Sequence, residues 1–80
     1  MGIDNIAACA VRYALTRASY VSASVPREIM AHLDEISANT ISVIIRDIVR
    51  ADYGDGMECD RENWMRFVAD LNKELDRRFV

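Results

Sequence analysis

The stretch Ile41-Ser42-Val43-Ile44-Ile45-Arg46-Asp47-Ile48-Val49 decides the fold class. It is rich in β-branched residues, which by composition alone favour a strand. Its apolar side chains recur at Ile41, Ile44, Ile45, Ile48 and Val49, the i, i+3, i+4, i+7, i+8 spacing of one helical face. The charges Arg46, Asp47 and Arg50 fill the remaining positions, as they do on the wet side of an amphipathic helix. The spacing therefore predicts a helix from about Thr40 to Asp52, capped by Asn39 or Thr40.

Moving towards the N-terminus, Val25, Ile29, Leu33 and Ile36 repeat at the same period, with Met30 beside them and Glu28, Asp34 and Glu35 facing water. They predict a helix from Val25 to Ser37. Pro26 then falls in the first turn, where its missing N–H costs little, behind a cap at Ser22 or Ser24. Ser19 to Ser24 alternates like a strand, but a lone strand has no partner here, so the segment reads as a loop. Before it, Ile6, Ala7, Ala10, Val11, Ala14, Leu15 and Ala18 form one stripe on a helix from Asp4, its expected cap, to Ala18. Its many alanines permit close helix approach and place it centrally.

Towards the C-terminus, Tyr53 to Cys59 carries two glycines and reads as a loop. Asp60 is the expected cap of a helix from Arg61 to Arg78, with Trp64, Phe67, Val68, Leu71 and Leu75 on its apolar side. Glu62 near its start and Lys73, Arg77 and Arg78 near its end suit the helix dipole. The expected fold is all-α, a compact four-helix bundle forming a single domain over residues 1–80.

Composition narrows the function. The chain has 80 residues, 51% of them hydrophobic, with one Pro and three Gly, which fits long helices and a packed core. Its net charge is −3, from 13 acids and 10 bases. That balance argues against a general nucleic-acid binder, which needs a basic footprint, and against an anionic membrane surface. Met1 to Asn5 has no basic n-region, and the longest apolar run, Ile6 to Val11, is too short to span a bilayer. The expected location is the cytoplasm of a host cell. Cys9 and Cys59 are too few for a disulfide framework and read as free thiols, Cys9 at the edge of the core and Cys59 in the loop.

Few residues offer chemistry. The single histidine, His32, reads as a surface residue, and the serines cluster where caps and a loop require them. Gly54-Asp55-Gly56 lacks the lysine of a phosphate loop. Taking Gly56 as the sixth position of a calcium loop would put Ala51 first, so that pattern fails as well. The chain is thus expected to be no enzyme and to need no cofactor or metal. Two surfaces stand out for binding. Asp52, Asp55, Glu58, Asp60 and Glu62 gather five acids against Arg61, a patch suited to a basic groove on another protein. Arg12, Tyr13, Arg17 and Tyr20 form an aromatic–arginine set on the first helix and its exit, of the residue types that dominate interface hot spots. A pairing of Arg17 with Asp47 is also expected. Trp64 is expected in the core.

Val11-Arg12-Tyr13-Ala14-Leu15-Thr16-Arg17-Ala18-Ser19-Tyr20 resembles the opening of a group of small phage and prophage proteins that read V-R-Y-A-L-G-R, then Ser or Thr and Tyr. Ile45-Arg46-Asp47-Ile48 resembles their I-R-D-I element, and Gly54-Asp55 with Asp60-x-x-x-Trp64 resembles their closing part. Thr16 departs from the usual Gly. The resemblance covers about residues 6–67 and implies a mobile-element origin. By analogy with anti-CRISPR proteins, it implies a non-catalytic protein that occupies a surface of a host protein or protein complex. Two alternatives remain. The second and third helices, joined by Ser37 to Asn39, could form a helix-turn-helix regulator, although the third offers only Arg46 and Arg50 beside Asp47 and Asp52. A viral assembly protein acting by self-association is the other, so a homo-oligomer is open.

Overall fold

A computed structural model describes residues 2–16, 19–51 and 58–79, with the backbone alone described for 19–23 and 58–60. Its elements are α1 (Ile3–Ala14), α2 (Ser19–Ala31), a short 3-10 turn (Leu33–Glu35), α3 (Ala38–Arg50) and α4 (Glu58–Phe79). Every regular element among the described residues is helical, and the fold is all-α.

The apolar stripes meet in one core. Ala7, Val11 and Ala14 come from α1, Ile29 from α2, Ile41, Ile44 and Ile48 from α3, and Trp64, Phe67, Val68 and Leu71 from α4. Ile36 joins them from the connection between α2 and α3. Val11, Ala14, Ile41, Ile44, Ile48 and Leu71 are fully excluded from solvent, and Trp64 nearly so. The rings of Trp64 and Phe67 lie 6.0 Å apart and tilted by 54°, within the favourable range for an aromatic pair. The expected core placement of Trp64 therefore holds.

Two hydrogen-bonded contacts set the direction of α1 against α3. Asp4, in the first turn of α1, accepts the Ser37 N–H just before α3 at 2.8 Å. Arg12, in the last turn of α1, pairs with Asp47 in the last turn of α3 at 3.0 Å. The two helices are therefore parallel neighbours. Arg78, near the end of α4, reaches the carbonyls of Leu33 and Ile36 just ahead of α3, so α4 runs antiparallel to α3. α2 returns from the far end of α1 to this same end.

The main packing partners are α1 with α2 and α3, and α4 with the same two. The helices thus occupy four corners in the order α1, α2, α4, α3. α2 and α3 are consecutive in sequence but stand at opposite corners, so the connection 32–37 crosses the end of the bundle. Ile36, 2% exposed, plugs that end from the connection. α4, at 22 residues, spans roughly 33 Å and sets the longest dimension of 37 Å.

Several expectations from sequence are corrected. α1 begins behind Gly2, with Asp4 spent on Ser37 instead of capping its own helix, and it ends at Ala14 rather than Ala18. Thr16 folds its hydroxyl back onto the Tyr13 carbonyl at 2.8 Å, competing for a group that the next helical turn would need. α1 is a corner helix, not a central one, because four similar apolar faces close around a shared interior. The segment 19–24 is the start of α2 and not a loop, so Pro26 lies inside the helix and not in its first turn. Packing of α2 against α1 and α4 overrides the weak helical preference of Ser-Tyr-Val-Ser-Ala-Ser. The helix stops at Ala31 instead of Ser37, where His32 leaves helical geometry (φ −117°, ψ 19°). Ser37, and neither Asn39 nor Thr40, caps α3: its Oγ accepts the Thr40 N–H at 3.3 Å. α3 ends at Arg50 instead of Asp52, because Ala51 is extended (φ −66°, ψ 145°). α4 starts at Glu58, which takes Glu58, Cys59 and Asp60 into the helix. The rest of the expected loop, 53–57, lies outside the described residues.

Candidate functional site

The exterior of α1 carries the most prominent exposed apolar side chains that share one helix. Ile6 is 57% exposed and Tyr13 56%. They are seven residues apart, two turns, and so lie on one side of the helix. Cys9, exposed and with a free thiol, lies between them, its Sγ 3.8 Å from the Asn5 Oδ1. Cys9 is expected at the core edge and Ile6 in the buried stripe; both are displaced because Ala7, Val11 and Ala14, with the partly buried Ile3 and Leu15, fill the arc that α1 turns inwards. Val49, likewise expected in a buried stripe, is 56% exposed. Seven-residue spacing between Ile6 and Tyr13 was the available signal, masked by the continuous alanine stripe beside it.

The aromatic–arginine set is only partly assembled. Arg12 and Tyr13 are exposed neighbours on α1. Arg12 spends its guanidinium on Asp47, whose side chain is 21% exposed in the groove between α1 and α3. Arg17, and with it the expected Arg17–Asp47 pairing, lies outside the described residues, and Tyr20 belongs to the first turn of α2. Of the acidic patch, Asp52 and Asp55 lie outside the described residues. Glu58 and Asp60 fall in the first turn of α4 and Glu62 follows, exposed, in its second. Acids there are favoured by the partial positive charge of a helix start.

The crossing connection is held by ionic contacts from two sides. Asp4 takes the Ser37 N–H from the α1 side. From the α4 side, Arg78 donates to the Ile36 carbonyl at 2.7 Å, the Leu33 carbonyl at 2.9 Å and Glu74 at 2.7 Å. Glu74 also receives Arg77 at 2.6 Å. Hydrogen bonds from Arg77 and then Arg78 hold the Glu74 carboxyl down at about 2. Glu74 in turn raises the Arg77 guanidinium above its ordinary value. This cluster fixes the backbone of the connection.

His32 is exposed, as expected, and its Nδ1 lies 2.9 Å from the Glu35 carboxylate. No hydrogen bond among the described residues joins that ring to a hydroxyl or thiol. No group of three or more His, Cys, Asp or Glu among the described residues is placed to hold a metal ion. No helix among them is long and apolar enough to cross a membrane. The chain matches no protein-family model, no curated protein and no solved structure.

Proposed function

We propose that this chain is a protein-binding module that inhibits or modulates a host protein complex, in the manner of anti-CRISPR proteins, without covalent chemistry. The observation that carries the reading is the strip Ile6–Cys9–Tyr13 on the outside of α1. A small domain normally keeps large apolar side chains inside. Two on one exposed helical side, one of them a tyrosine, form the kind of anchor that a partner surface covers. Arg12 edges the strip and supplies the polar rim that such interfaces carry. The acids at the start of α4 are the second candidate contact, through attraction to a basic groove.

Affinity capture from a host lysate tests this with three baits: the wild type, Ile6→Asp with Tyr13→Asp, and Glu58→Lys with Asp60→Lys and Glu62→Lys. The expected result is a host complex retained by the wild type and lost with the α1 variant, whose far-UV circular dichroism stays unchanged. Retention by all three baits alike, or by none, overturns the reading.

A further inference from the structure

α3 segregates its charge. Its single acid, Asp47, is turned into the groove with α1 and tied to Arg12 at 3.0 Å. Its outer side carries Asn39, Ser42, Arg46, Val49 and Arg50, all exposed; Asn39, Ser42 and Arg46 follow at three or four residues, and Val49 and Arg50 lie three and four beyond Arg46, so that they form one continuous stripe. The stripe contains no acid. Arg46 and Arg50 stand one turn apart and take no ion pair among the described residues. Like charges at this spacing oppose the helix that carries them, and the exposed valine between them adds nothing to the core. Nothing among the described residues accounts for this combination.

We propose that the outer side of α3 docks an acidic amphipathic helix of a partner protein. Arg46 and Arg50, about 6 Å apart along the axis, match two carboxylates one turn apart on such a helix. Each guanidinium can grip a carboxylate through two parallel hydrogen bonds. Val49, 56% exposed, meets the apolar residues of the same partner, while Asn39 and Ser42 supply hydrogen bonds at the rim. A nucleic-acid duplex fits less well. Two cations in a chain of net charge −3 are a small footprint against a polyanion, and the valine would face phosphate. This surface lies on α3 and the strip on α1, and different substitutions remove them, so either can fail without the other.

The test uses the full chain and a fluorescent synthetic peptide with leucines at helical spacing and glutamates elsewhere. Its lysine counterpart and a DNA duplex serve as comparisons. Fluorescence anisotropy is read at low and at physiological salt for the wild type, Arg46→Gln with Arg50→Gln, and Arg46→Glu with Arg50→Glu. All substituted positions are exposed, and thermal melts check that each variant folds. The acidic peptide should bind the wild type, more weakly as salt rises, and lose about tenfold in affinity with the neutral pair and more with the reversed pair. The lysine peptide should not respond to the neutral pair. Equal binding of the acidic peptide to all three proteins, or none at low salt, overturns the proposal. So does duplex binding that the reversed pair abolishes while the peptide stays free, which would assign the stripe to nucleic acid.

Discussion

Arg78 joins three acceptors from one planar group: the carbonyls of Leu33 and Ile36 and the carboxylate of Glu74. A lysine could not reproduce that fork, because its ammonium is a single point donor. Glu74 keeps the guanidinium aimed, and its own side chain is only 10% exposed. The Arg77 and Arg78 donors lower its carboxyl from 4.5 to about 2. A folded value below the unfolded one means that the carboxylate favours the native state above about pH 4.5. That contribution is lost as pH falls towards 2. Thermal melts across this window should show the wild type losing its advantage over Glu74→Gln as the medium becomes acidic. A gap between the two proteins that stays constant with pH would show that the ion cluster contributes nothing to stability.

At the scale of elements, α2 is the helix least supported by its own sequence. It opens on Ser-Tyr-Val-Ser-Ala-Ser and carries Pro26 seven residues past its first residue. There the ring crowds the carbonyl one turn back and supplies no N–H. Replacing Pro26 by Ala should therefore stabilise the protein, by about 1–3 kcal/mol in urea unfolding. Were Pro26 in a first turn, the same change would be neutral or slightly harmful, since proline there is compatible and stiffens the unfolded chain. The sign of the change thus distinguishes the two placements. α3 is the opposite case. Its apolar spacing was unambiguous, and Ile41, Ile44 and Ile48 are buried as that spacing requires. Its ends and its margin were misplaced: it stops at Arg50, Val49 stays exposed, and its cap is Ser37, because Ser37, Asn39 and Thr40 are all competent caps and the choice depends on where the preceding connection delivers the chain.

At the scale of the whole molecule, the connection 32–37 is what gives the bundle its arrangement. It carries the chain diagonally across one end, with Asp4 holding it from α1 and Arg78 from α4. Residues so far apart in sequence, and on different helices, would normally contribute independently. Here both act on one short segment. Asp4→Ala and Arg78→Gln should each destabilise by about 1–2 kcal/mol, and the pair should depart from additivity by roughly 0.5 kcal/mol or more. Strict additivity in a double-mutant cycle would show that the connection does not respond as one unit.

The candidate surfaces were less legible than the core. Arg12 and Tyr13 were recognisable as interface types, but Ile6 read as a core residue because a helical stripe has no sharp edge in sequence. Whether a residue at the margin is covered depends on how far the neighbouring helix reaches, and helix spacing is a property of the packed bundle. The charge segregation of α3 was hidden for a related reason. Asp47 appears beside Arg46 in the chain, and only the approach of α1 removes it from the outer side by pairing it with Arg12.

The linear order of residues already set the number of helices, their apolar faces and most of the core, since a period of 3.6 residues is a local property that side-chain burial must respect. It determined the charge balance and the scarcity of reactive groups in the same way. Which helices touch, where α1 and α2 begin and end, and which margins stay exposed were decided by tertiary structure. Those outcomes depend on contacts such as Asp4 to Ser37 and Arg78 to Ile36, between residues that nothing in the linear order brings together.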